Sequence, residues 1–511
     1  MSGRLLTSFL TVGGWTLASR VLGLVRDLFM AAFLGAGAVA EAFQAAFALP
    51  NLFRRFFAEG AFNLAFVPLY SKKLERVEDH EAFASNALSA LGGILILLTL
   101  VAQLFMPAMI YAMASGFSGD ARFDLSVDLA RIIFPYVLFI SLAAVLSGIL
   151  NAHRHFAIAA AAPVLLNIIL IAVMIAAYYA QWDMGLALSW GVAVAGVAQM
   201  GLVYYGVRRL GLKISWQFPR WNADLKRLLI IALPALLTGG VIQINILIGR
   251  QVASYFEGAY AWLYYADRLY QLPLGVVGIA IGVVLLPSLS RALAAKDATR
   301  GQAHYNRAFE FGMILTLPAA VALAVVPLPL ISVLFERGAF SLSDSQATAA
   351  AVAIYGLGLP AFVGQKIVQP LFFAREDTKT PFYYALVALV LNAIVAIGLS
   401  LSVGYLAAAI GTTVSAWVMF LLLLWKSKSL GQEAAFDPRL LSRLPRITLA
   451  SLLMGGVIFG GFELTSEYFF TAGIRYGALV GLVGFGAISY ALFLILLKAS
   501  NLSELKSFMR R

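Results

Sequence analysis

The chain has 511 residues, 61% of them hydrophobic and 12% charged, and a mean hydropathy of +0.88. So little polar surface cannot cover a water-soluble globule, which excludes an ordinary soluble enzyme. The formal net charge of +12 does not imply nucleic acid as a partner, because most of the lysines and arginines sit in short segments between apolar runs, where the positive-inside bias of membrane proteins puts them.

Apolar runs of about 20 residues, enough to cross a bilayer, recur from end to end and predict an all-α polytopic membrane protein with about 14 transmembrane helices. The runs cover 5–33, 38–69, 84–113, 127–151, 157–180, 185–207, 226–250, 259–290, 305–335, 346–373, 381–402, 404–425, 444–464 and 473–498. The first follows a short basic stub, continues past signal-peptide length and shows no small-residue cleavage site, so it reads as a retained helix. Loops on one side carry bases such as Lys72, Lys73, Arg208, Arg209, Arg291 and Arg439; the alternate loops hold only scattered ones such as Arg122, Arg337 and Arg475. Both termini are therefore expected in the cytoplasm. The longest loops, near 209–225 and 426–443, are too short for a catalytic domain.

Cysteine is absent, which removes disulfides, thiolate metal sites and cysteine nucleophiles. The histidines His80, His153, His155 and His304 all fall in predicted loops and read as solvated residues, so no metal and no cofactor is expected.

An internal repeat organises the spans. Pro135 and Asn167 recur at the same separation as Pro360 and Asn392, each asparagine ending a Leu-Asn pair before an apolar run. Leu49-Pro50 leading to Pro68 is echoed by Leu272-Pro273 leading to Pro287. The offset, about 220 residues or six spans, gives two halves of like orientation related by an axis along the membrane normal. The expected division is an N-lobe at 1–215, a C-lobe at 216–430, and a C-terminal helix pair with a short cytoplasmic tail at 431–511.

Arginines lie at membrane depth: Arg20 and Arg26 in the first span, Arg54 and Arg55 in the second, Arg268 in the eighth. Each costs roughly 2.5–3.5 kcal/mol at the bilayer centre, so together they require a water-filled cavity, acidic partners or an anionic cargo. In Ser19-Arg-Val-Leu-Gly-Leu-Val-Arg-Asp27, helical geometry puts Arg20 and Asp27 on nearly one azimuth two turns apart, while Gly23 permits a bend or a close helix contact that re-aims Arg26. A second reading makes Arg26 and Asp27 internal ion pairs. In Leu49-Pro-Asn51 through Gly60, Arg55 and Glu59 are spaced to pair on one helix face, whereas Arg54 points away from Glu59 and is the better cargo ligand. Asp267 and Arg268 stand near one end of the eighth span, where Tyr264 and Tyr265 read as an interfacial belt. Glu41 and Lys366 are cavity residues or local counter-ions. The acids Asp27, Glu59 and Asp267 each neighbour an arginine, so the cavity is expected to be net positive, with Arg20, Arg26, Arg54 and Arg268 converging on it. Planar guanidinium forks suit pyrophosphate.

At SRVLGLVRD, LPNLFRRFFAEGAFNLAFVP and YYADRL the chain resembles the MurJ (MviN) family, the lipid II flippases of bacterial peptidoglycan synthesis, within the multidrug/oligosaccharidyl-lipid/polysaccharide exporter superfamily. The likeness runs over essentially the whole chain. It implies two six-helix lobes around a cationic cavity and a terminal helix pair forming a groove for a polyprenyl tail. It also implies an inner-membrane transporter, not an enzyme, that moves lipid II (undecaprenyl-pyrophosphate-linked disaccharide-pentapeptide) between leaflets by alternating access, amid membrane lipids and with transient contacts to the cell-wall synthesis machinery. The family's cavity arginines carry over onto Arg20, Arg26, Arg54 and Arg268, with Asp27, Asn51, Glu59 and Asp267 beside them. Glu41 replaces the aspartate of many relatives, and Ala261 the serine of some. The alternatives are export of another anionic polyprenyl-pyrophosphate-linked glycan and an intramembrane glycan polymerase or transferase. Gly477 and Gly481, at GxxxG spacing in the last span, fit helix packing as well as a lipid groove.

Overall fold

The computed structural model describes residues 3–57, 61–76, 78–471 and 473–500, and among them every regular element is helical. In chain order these are α1 (Gly3–Leu34), α2 (Ala38–Phe57), α3 (Ala61–Glu75), α4 (His80–Leu104), α5 (Met106–Met113), α6 (Ala121–Ile133), α7 (Tyr136–Ala152), α8 (Phe156–Ala180) and α9 (Met184–Arg209). There follow α10 (Ala223–Ser254), α11 (Ala259–Ala294), α12 (Ala298–Val325), α13 (Pro327–Phe335), α14 (Leu342–Phe373), α15 (Lys379–Val403), α16 (Leu406–Ser427), α17 (Pro438–Phe470) and α18 (Arg475–Leu496), apart from short 3-10 turns. Ten described helical stretches are long and apolar enough to cross a membrane. The other segments read as spans correspond to α1, to α2 with α3, to α10 and to α11.

Local chemistry sets many of the helix starts. Asp79, Asp183, Asn222, Asp297 and Asp437 each accept a backbone N–H from the first turn of α4, α9, α10, α12 and α17, satisfying donors that no helical carbonyl reaches. Ser341 and Asp344 form a reciprocal capping box at α14. Two runs read as single spans are broken. Phe105 leaves helical geometry between α4 and α5, and Val326 does so between α12 and α13, each just ahead of a proline at the start of the next helix. The two breaks fall at about the offset of 220 residues that the sequence repeat sets.

Packing gathers the chain into two units, one of residues 1–261 with 337–340, the other of residues 262–336 with 341–511. In the first, α1 lies on α8, α8 and α7 on α9, α2 on α6, and α3 on α10. Phe43, Phe47, Phe66, Leu91, Tyr136 and Leu146 are among its buried core. Ala339 N–H donates to the Ala32 carbonyl at 2.8 Å. Gly35 and Gly338 permit that approach with φ of +62° and +57°; a Cβ on Gly338 would fall 2.1 Å from the Ala32 oxygen.

In the second unit α14 packs between α12 and α16, α15 lies on α16, and α17 pairs with α18 and with α12. Phe309, Phe372 and Phe420 fill the space around α12, α14 and α16, while Met454, Ile458 and Phe469 seat α17. Buried Glu310 of α12 receives Arg439 at 3.2 Å and Arg443 at 2.5 Å from α17, and also Arg307, which reaches Asp437 as well. Gly477 and Gly481 meet nothing within 4 Å, so the GxxxG pair does not serve packing among the described residues. Gly486 does: a Cβ there would fall 2.8 Å from Ile458. Outward faces carry Leu97, Leu104, Ile394, Leu464, Val480 and Ile488, an apolar exterior that a bilayer, not water, accommodates.

Candidate functional site

Helix α1 carries the most elaborate polar arrangement among the expected site residues. Arg26 and Asp27 are 6% and 2% exposed, and the guanidinium grips one carboxylate oxygen with two donors, Nη2 at 2.7 Å and Nε at 3.1 Å. Its Nη1 donates to Asn167 Oδ1 of α8 at 3.1 Å, and Asn167 Nδ2 donates to the Ser19 carbonyl at 3.0 Å. Gly23 faces that amide, where a Cβ would sit 3.8 Å away, so of the two roles foreseen for this glycine the close helix contact is the one observed. One asparagine therefore fixes both the backbone before Arg20 and the direction of Arg26. The sequence marked Asn167 only as a repeat position; a lone amide in an otherwise apolar run is the signal that points to it. Arg20 itself is exposed.

On α2, Pro50 cannot donate a hydrogen bond to the carbonyl one turn back. Asn51 uses its amide twice, donating to the Phe47 carbonyl at 2.8 Å and accepting from Arg54 Nε at 3.2 Å. The expectation that Arg54 lacks a partner on its own helix is thus corrected: a neutral amide one turn back holds the guanidinium. Arg55 is exposed and reaches Gln243 Oε1 of α10 at 3.4 Å. Glu59, its expected partner, lies outside the described residues.

Glu41 resolves as a counter-ion. It is 0% exposed and accepts Arg122 Nη1 at 2.9 Å and the Tyr260 backbone N–H at 3.0 Å. Arg122 also grips Asp120 at 2.7 Å, and that hydrogen bond holds the Asp120 carboxyl below its usual range. Removing Glu41 leaves Arg122 with Asp120 alone and strips the buried Tyr260 N–H of its acceptor, at a cost of about 1–3 kcal/mol. Glu41→Ala should accordingly lower the thermal unfolding midpoint of the solubilised protein well below that of a surface substitution such as Glu75→Ala; equal midpoints would show that Arg122 needs no Glu41.

In the second unit, Arg268 Nη2 donates to Tyr264 OH at 2.9 Å, with the guanidinium 4.7 Å from the Tyr264 ring centroid. Asp267 accepts from Gln271. Tyr265 is fully buried and packs on Phe335 at 5.4 Å between ring centroids. The belt reading of both tyrosines is corrected: helical spacing of four puts Tyr264 under Arg268, while Tyr265 faces the core. Lys366 is exposed on α14. The histidines are not all solvated loop residues either, since His153 Nε2 lies 2.9 Å from Tyr70 OH and its ring stands beside that of His80. No group of three or more metal-ligating side chains occurs among the described residues.

The family described as lipid II flippase MurJ matches residues 30–477. A Rhizobium tropici protein named probable lipid II flippase MurJ is 46% identical over 464 residues, covering 89% of this chain and 86% of its own length. A Vibrio cholerae protein of the same name is 34% identical over 532 residues, covering 99% and 98%. Among solved structures, a lipid II flippase MurJ in an inward closed conformation superposes with a TM-score of 0.80 at 26% identity, over 95% of this chain and 98% of that one. A MATE family multidrug resistance transporter of the MOP superfamily, inward-facing, shares the fold at a TM-score of 0.67 and 15% identity, over 81% and 94%. With the family's pattern matched over most of the chain, relatives 46% and 34% identical and a MurJ structure of the same fold, the chain belongs to the lipid II flippase MurJ family.

Proposed function

We propose that this protein carries lipid II from the inner to the outer leaflet of the bacterial cytoplasmic membrane by alternating access, with Arg20, Arg26, Arg54 and Arg268 holding the pyrophosphate. Family membership supports the cargo. The observation that carries the site is the way polar partners pre-orient the guanidinium groups: Arg26 by Asp27 and Asn167, Arg54 by Asn51, Arg268 by Tyr264. A fork fixed in advance loses less entropy on meeting a phosphate than a free side chain does. Ser19 and Asp267 support these arginines, Glu41 and Arg55 brace the helices, and Glu59 is placed here on its motif alone. No bond is made or broken, so positioning and charge are the whole of the chemistry.

The same proposal includes cytoplasmic termini, on the distribution of loop bases, and lobes at 1–215 and 216–430 with a helix pair at 431–511. The repeated proline-linked break after α4 and after α12 supports the two lobes. The flipped product is the substrate of glycan polymerisation outside, which gives transient contact with the cell-wall machinery a purpose.

Reconstitution tests this reading. Purified protein in vesicles holding fluorescent lipid II in one leaflet should move it to the other, and an analogue bearing a neutral linker in place of pyrophosphate should neither move nor compete. Equal transport of the neutral analogue would remove the arginines from cargo binding.

A further inference from the structure

The segment between α9 and α10 is irregular, yet its backbone is held in register along α4. Lys213, Ser215 and Gln217 donate their N–H groups to Glu81 Oε2 at 3.2 Å, Ser85 Oγ at 3.2 Å and Ser89 Oγ at 3.0 Å. Steps of two in an extended chain rise about 6.6 Å and steps of four in a helix about 6 Å, so the two ladders stay matched as the segment climbs. It then turns back at Phe218-Pro219, and Arg220 exchanges two hydrogen bonds with the Asn86 amide, at 2.7 and 2.8 Å.

The climb enters the membrane span. Ser89 lies about 14 Å along α4 from its first residue, and Gly92 about 18 Å. The Trp216 ring rests on Gly92, where a Cβ would fall 2.2 Å from it. Irregular backbone at such depth persists where protein satisfies its polar groups, and α4 side chains take the N–H groups of residues 213, 215 and 217 and both backbone groups of Arg220. The outer face of the segment is apolar: Trp216, Phe218 and Trp221 are exposed, Phe218 to 93%. Lys213 and Arg220 flank these rings and are also exposed. Rings at the interface with cations beside them fit a lipid leaflet whose headgroups are negatively charged.

We propose that residues 213–221 form a re-entrant segment that inserts Trp216, Phe218 and Trp221 into the adjoining leaflet and binds anionic phospholipid headgroups through Lys213 and Arg220. This goes beyond the transport reading and stands whether or not lipid II is the cargo. It uses the side of α4 that faces the segment, and it makes the α9–α10 connection a lipid-held strut in place of a slack loop.

The cysteine-free chain allows a direct test. Phe218→Cys, and separately Trp221→Cys, is labelled with a fluorophore in vesicles of phosphatidylcholine and phosphatidylglycerol, then challenged with lipids carrying a nitroxide on the acyl chain and with aqueous iodide. Nitroxide lipids should quench both labels and iodide should scarcely do so, with nitroxide phosphatidylglycerol quenching about twice as strongly as nitroxide phosphatidylcholine at equal mole fraction. Lys213→Gln with Arg220→Gln should remove that preference while keeping the insertion. Iodide quenching without nitroxide quenching at both positions overturns the insertion. Equal quenching by the two lipids, or a preference that survives the double substitution, overturns the headgroup site.

Discussion

Cells whose only copy carries Arg54→Ala should fail to grow, although the folded protein remains in the membrane. The side chain is half-buried, and the Asn51 amide accepts from its Nε. If the pyrophosphate completes its hydrogen bonding, truncation costs about 2–5 kcal/mol of cargo binding, and at 1.4 kcal/mol per tenfold that is roughly thirty-fold or more. Complementation together with the amount of protein in the membrane fraction reads this out. Normal growth of the mutant would leave Arg54 with no part in cargo binding.

Arg26→Lys should be nearly as damaging, despite conserving charge. Arg26 serves Asp27 with two nitrogens and Asn167 with a third, a planar arrangement that a single ammonium cannot reproduce. Flipping should drop by at least about tenfold, and Asn167→Ala should produce part of the same defect by releasing the guanidinium and the Ser19 carbonyl together. If lysine at this position flips lipid II at the normal rate, positive charge alone suffices there and the fork argument fails.

Run length and charge made the spans legible, because a bilayer imposes one length and one polarity on every crossing. Breaks inside the runs were not legible in the same way. Phe105 and Val326 lie in unbroken hydropathy, and only the prolines just after them hint at a change of direction. At the site, residue type was informative and partnership was not. Arg26 and Asp27 offered both a cargo and an ion-pair reading, and the amide that joins them to Ser19 lies on another helix, 141 residues from Arg26 in sequence. Tyr264 and Tyr265 looked alike in the sequence, but one helical step separates a ring beneath Arg268 from a ring in the core. The segment 213–221 read as an ordinary basic loop because its fit to α4 depends on Ser85, Asn86 and Ser89, far away in the chain.

Depletion of the protein in growing cells bears most directly on the central claim, through which lipid-linked precursor accumulates and in which leaflet. The account predicts that lipid II builds up in the cytoplasmic leaflet and that wild-type protein, but neither Arg54→Ala nor Arg26→Lys, restores its appearance outside. Continued delivery of lipid II to the outer leaflet, with a different polyprenyl-linked glycan trapped inside, would contradict it.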